Sequence, residues 1–262
     1  MMTIRGKATS FLGLVVLVCG WSAARVAAED KAERWTSANL PMSKLPTDLR
    51  DQVATVVDHA TLYTHGPSDE ILCDPVTYLW LLDHPDRATR AWCRLGAKCV
   101  DIEAADKDWF SCSDAGGNDV RWTTVYRSAE MRIWYAEGSI KVGSLLKPVT
   151  GEAVFVVRHI EGTDAKGRTV IRQQTDMIVH ADSKTAALIA KVLGAAMPQL
   201  ADQYVIHQGK FFSMLATYLW LHPEKIAILL AAKSSDDSDQ PSLPIPTSPS
   251  KAHEIMKGTP PK

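Results

Sequence analysis

The sequence predicts an α+β protein, with an antiparallel sheet of about seven strands preceded by helices and closed by one long, bent C-terminal helix. Three observations predict it. Six strand-like runs follow one another between Lys98 and His180 with only short polar links, the pattern of an up-and-down meander. Apolar residues recur at helical spacing before those runs. They do so again after them, from Ser183 to Leu221.

Taken in order, Thr47 is a good N-cap, and Leu49, Val53, Val56 and Val57 form one apolar stripe, giving a helix over 47–58. A short strand follows near Ala60 to Thr64, then a turn at Gly66-Pro67, then more strand over Asp69 to Cys73. Pro75 suits the first turn of a helix. Tyr78, Leu79, Leu82, Ala91, Trp92 and Leu95 keep helical spacing, interrupted at His84-Pro85 and ended by Gly96. The six strands are 99–104, 108–112, 119–127, 131–141, 153–162 and 168–180, the last two joined by the turn TDAKG. Asp182 or Ser183 caps the closing helix, which Gly194 and Pro198 should bend.

The pentapeptide TYLWL occurs twice, from Thr77 and from Thr217, and each copy runs into His-Pro. A residue before proline is pushed out of helical geometry, so His84 and His222 each mark a helix end. The surrounding sequences do not match. The two copies are read as similar helix endings rather than as a repeat.

The ends of the chain read differently from its middle. A basic start with Arg5 and Lys7, an apolar run from Phe11 to Ala24 and a small-x-small ending predict a secretory signal cleaved after Ala28. The protein is then expected to be secreted or periplasmic, with no membrane span after cleavage, since the run is shorter than the roughly 20 residues a span needs. Residues 29–46 are mostly polar and read as a linker, 47–232 as one domain, and 233–262 as a disordered tail rich in Ser and Pro. Removing residues 1–28 takes three of the 29 basic residues and none of the 30 acids, leaving a charge of about −4. That balance argues against nucleic acid as a partner.

Export leaves Cys73, Cys93, Cys99 and Cys112, an even number in an oxidising compartment. Cys99 and Cys112 flank a predicted hairpin and could face one another, with Cys73 and Cys93 as the remainder; buried free thiols are the equal alternative. No HExxH, no paired metal spacing among the eight histidines, no GxSxG and no phosphate loop is present, so no metal, cofactor or catalytic set is predicted.

The stretch LCDPVTYLWLLDHPDRATRAW, Leu72 to Trp92, resembles the opening of the START-like, polyketide-cyclase superfamily: a strand ending at Pro75, Trp80 early in a helix, and a turn at Leu82, Asp83 and Pro85 before Trp92. His84 splits the usual Asp-Pro pair. Residues 188–205 look like that family's closing helix. The resemblance implies a helix-grip fold, a curved sheet wrapped around the long helix with an elongated cavity between them. It also implies binding of lipids, sterols or polyketides, with cyclisation or dehydration in some cases.

Pairing across TDAKG puts Ala153, Phe155, Val157 and His159 on one face with Ile171, Gln173, Thr175 and Met177, leaving Arg158, Arg172, Gln174 and Asp176 toward water. Trp122, Tyr126, Ile133 and Tyr135 are the expected inward residues of earlier strands, unless a bulge flips them. The ligand-lining set is therefore Trp122, Tyr126, Tyr135, Phe155, His159, Gln173, Thr175 and, from the long helix, Phe211, with the polar members orienting an apolar, lipid-like molecule. An enzyme of the cyclase or dehydratase type using Tyr and His, and a cavity-less interaction module, are the alternatives.

Overall fold

The computed structural model describes residues 34–97, 99–105, 108–114, 117–141, 148–182 and 197–230. Residues 1–33, the start of the closing helix from Ser183 with Gly194, and the tail 233–262 lie outside the described residues.

Helix α1 (Arg50–Asp58) leads into β1 (Leu62–His65) and β2 (Asp69–Leu72), then α2 (Pro75–Asp83) and α3 (Pro85–Arg94). The meander follows as β3 (Glu103–Ala104), β4 (Trp109–Ser113), β5 (Asp119–Arg127), β6 (Met131–Ile140), β7 (Val149–Thr163) and β8 (Thr169–His180). Helix α4 (Met197–Leu221) and the short α5 (Ile226–Leu230) close the described chain. All pairings are antiparallel, in the order β1-β8-β7-β6-β5-β4-β3, and β1 and β2 share β8 as two halves of one edge.

Local chemistry explains the breaks. The Asp74 carboxylate accepts from the Thr77 N–H at 2.9 Å and Pro75 has no N–H to satisfy, which favours starting α2 here. The two His-Pro helix ends share one backbone conformation: His84 has φ −131° and ψ 63°, His222 φ −129° and ψ 62°. Each ring lies on the residue four before it, His84 stacked on Trp80 at 4.3 Å and His222 on Tyr218 at 4.5 Å. Both copies of TYLWL thus lie at helix ends that stop the same way, at different distances from His-Pro.

The sheet is covered on both faces. One face carries Trp134, Phe155, Val157, Ile171 and Met177 against Tyr78, Trp80 and Leu81 of α2 and Val205, Phe212, Leu215 and Leu219 of α4. The other carries Ile133, Tyr135, Val154, Val156 and Ile178 against α1 and the segment before it. Residues 34–46, expected to be a polar linker, are packed there: Leu40 and Leu45 are buried, and Trp35 and Met42 pack beside them. Four consecutive buried residues, Val154 to Val157, are the sequence signature of a strand covered on both sides.

This is the helix-grip arrangement, with a long helix laid on an antiparallel meander. Among the described residues no helix is long and apolar enough to cross a membrane.

Candidate functional site

The pairing of β7 with β8 sets Phe155 opposite Met177, Val157 opposite Thr175 and His159 opposite Gln173. Phe155, His159, Gln173 and Thr175 therefore share the helix-facing side, all buried. Trp122 joins them, half-buried against that core and tilted on Phe110 at 5.8 Å. Phe211 packs from α4, its ring 6.1 Å from Trp92.

Tyr126, Ile133 and Tyr135 are on the opposite face. A register shift between Thr124 and Tyr126 moves Tyr126 opposite Ile133, so the alternation that begins with Trp122 inward reverses before it reaches Tyr126. Tyr135 is buried against α1's core, with its hydroxyl on Glu152. Asp176, expected toward water, is 1% exposed. The Trp35 indole N–H donates to it at 2.6 Å, and His65 Nδ1 lies 2.5 Å from its other oxygen.

Sequence reasoning missed the partners of His159. Tyr78 of α2 meets the imidazole edge-on at 5.7 Å and donates its hydroxyl to Gln173 Oε1, while Gln173 Nε2 donates to the Gly209 carbonyl of α4 at 3.2 Å. One carboxamide thus ties β8 to two helices. Neither ring nitrogen of His159 has a hydrogen-bond partner of ordinary geometry. Burial, and then the Arg132 guanidinium, push its pKa down to about 4, with the Val157 and Ala129 carbonyls and Asp83 acting the other way. Arg132 itself forms a two-pronged pair with Asp83, at 2.9 and 3.1 Å.

This end of the interior keeps a hollow of about 130 Å³, lined by Gln173, Thr175, Val205 and Gly209. The larger hollow, about 690 Å³, lies instead at the strand ends. Its helix-side row is Cys112, Val120, Gly138, Gly151 and Ala181, small residues in register that leave room where bulky ones would close it. Arg121, Glu137, Glu152 and His180 come from the opposite side of the same strands. A Cβ at Gly138 would sit 2.4 Å from the Asp119 carbonyl oxygen, so this strand cannot hold a larger residue there. Near it, Tyr204 of α4 rests on Phe155 with ring centres 6.2 Å apart, yet keeps 55% of its surface open. Surrounding protein raises its phenol pKa, with Cys112 the second cause.

Of the two readings of the cysteines, a Cys99–Cys112 disulfide or free thiols, the structure shows Cys73, Cys93, Cys99 and Cys112 as free thiols. In the β3–β4 register Glu103 faces Ser111, so one further step puts Ile102, not Cys99, opposite Cys112. No cluster of potential metal ligands is found among the described residues.

No family model matches the chain, and no curated protein gives a significant match. Solved structures do resemble it. A conserved protein from Geobacillus kaustophilus is 13% identical, over 59% of this chain and 93% of that one, with a TM-score of 0.40. A norcoclaurine synthase point mutant from Thalictrum flavum is 10% identical over 62% and 96%, with a TM-score of 0.37. The di-domain ARO/CYC protein BexL is 14% identical over 65% of this chain and 53% of that one, also with a TM-score of 0.37. The overlaps are low, and the fold itself rests on the element order and packing above. That fold is a helix-grip fold, an antiparallel meander carrying a long C-terminal helix.

Proposed function

We propose that this chain binds a small molecule with an apolar, lipid-like body at the strand-end hollow, and holds it without chemistry. The observation that carries the reading is the 690 Å³ space floored by Val120, Gly138, Gly151 and Ala181. Its size falls within the range of ordinary ligand sites, about 300–1,000 Å³. Affinity would come from apolar area removed from water, about 25 cal/mol per Å² before entropic costs.

Native mass spectrometry of the purified protein, followed by displacement of an environment-sensitive fatty-acid dye, tests this. A co-purifying apolar compound is expected, with Val120→Trp weakening dye binding at least about tenfold by filling the hollow. Folded protein that is always ligand-free and never binds dye overturns the reading.

The basic start and apolar run of residues 1–28 support export as part of the same proposal. Expression in a secreting host should yield mature protein whose first residue is Glu29. Full-length protein retained inside the cell counts against it.

A further inference from the structure

We propose that the break between β1 and β2 is a second binding site, one that holds a small zwitterion of the α-amino-acid class. β1 pairs with β8 as far as His65 opposite Asp176, and β2 resumes at Asp69 opposite Gln173. Gln174 and Thr175 therefore lie beside an interruption of the ladder, Gly66 to Ser68.

The interruption is held in place at one end. The Gly66 N–H donates to Thr175 O at 2.8 Å, and Gln174 Nε2 donates to Gly66 O at 3.0 Å. On the helix side α4 walls it with Val205, Ile206, Gly209 and Lys210, which leaves the hollow of about 130 Å³. That is the volume of about four waters at ~30 Å³ each, the scale of glycine or alanine rather than of a lipid chain.

Charge selects the class. Asp69 of β2 and Lys210 of α4 both line the hollow, and no ion pair joins them among the described residues. Gln173, 4% exposed, also lines it. Its amide nitrogen spends one N–H on Gly209 O at 3.2 Å, and the second can meet an acceptor in the hollow. A simple anion would gain Lys210 and be repelled by Asp69, and a simple cation the reverse. A carboxylate and an ammonium on one carbon satisfy both, with a small side chain against Val205 and Ile206.

The site is distinct from the strand-end hollow. Thr175 lines one and His180 the other, five residues apart on β8, or about 17 Å at 3.4 Å per residue.

Saturation-transfer NMR of glycine and L-alanine with the purified chain tests this. Saturable binding in the millimolar range is expected for so few atoms, with acetate and ethylamine about fivefold weaker. Asp69→Asn and Lys210→Met should each weaken L-alanine about fivefold. Gly209→Ala is the sharper variant. Beyond its own helix the added methyl meets only Gln173 Nε2, at 3.5 Å, so it takes up room in the hollow without a clash. It should abolish binding while melting no lower than wild type, since alanine is the better helix former. Four results would overturn the assignment: no saturable transfer, acetate binding as well as L-alanine, undiminished binding in Gly209→Ala, or displacement of L-alanine by the fatty-acid dye.

Discussion

The Tyr78 hydroxyl donates to Gln173, and the same carboxamide donates to the Gly209 carbonyl, so one side chain of β8 fastens both α2 and α4 to the sheet. Tyr78 is fully buried and Gln173 4% exposed, so no water is at hand to replace either partner. Tyr78→Phe keeps the ring on His159 and leaves Gln173 Oε1 without a donor. A loss of about 1–3 kcal/mol is expected, measured by urea unfolding. An unchanged midpoint would mean the bond contributes nothing.

His159 sets a pH dependence. Its pKa in the folded protein is pushed down to about 4, below the ordinary value of 6.5, by burial and by Arg132. The unfolded chain therefore binds the proton more readily, and stability rises with pH between those values. Stability should be complete above about pH 6.5 and fall by about 3 kcal/mol toward pH 4. His159→Gln should flatten that slope in melts from pH 4 to 7. An equally steep slope in the variant would move the effect to another group.

Trp35 closes the sheet's second face over a buried charge. Its indole N–H reaches Asp176, and its ring lies under the Arg158 guanidinium at 5.4 Å. Trp35→Phe retains an aromatic face for Arg158 and deletes the donor, which should cost about 1–3 kcal/mol. It should also speed amide exchange in residues 34–49 relative to the meander. Uniform exchange rates in wild type and variant would show that the segment is held by its leucines alone.

Gly66 marks where the edge strand breaks into β1 and β2. A Cβ there would lie 2.5 Å from the Thr175 carbonyl oxygen and 2.6 Å from Val205 Cγ1, so the backbone and α4 cannot both stay in place. Gly66→Ala should destabilise by about 1–3 kcal/mol. Val205→Ala in the same chain should recover part of the loss, since it removes one of the two obstacles. No recovery would assign the whole clash to Thr175.

The elements were legible because their signals are local. Polar links, Pro75, Gly96 and the TDAKG turn divide the chain where the elements divide, and strict alternation on β7 and β8 placed His159 with Gln173 and Phe155 with Met177. Tyr126 was not legible in the same way, because one register shift in β5 reverses the side chains beyond it without changing the residues, while Tyr135, opposite Thr123 before that shift, faces away from Trp122 by plain alternation. Asp176 read as a solvent-facing residue, and nothing near it in sequence announces Trp35, 141 positions away.

What the sequence by itself determined is the order of elements and the parity of the long unbroken strands, since both follow from chain geometry over a few residues. Only the tertiary structure decided which faces are covered, which polar groups are sealed, and where space remains. Those depend on contacts between distant segments: residues 34–49 folding back on the sheet, α2 and α4 meeting at Gln173, and a row of small residues at Gly138 and Gly151 that line a hollow among the described residues. Burial is a property of the neighbour that arrives, and a local pattern does not contain its neighbour.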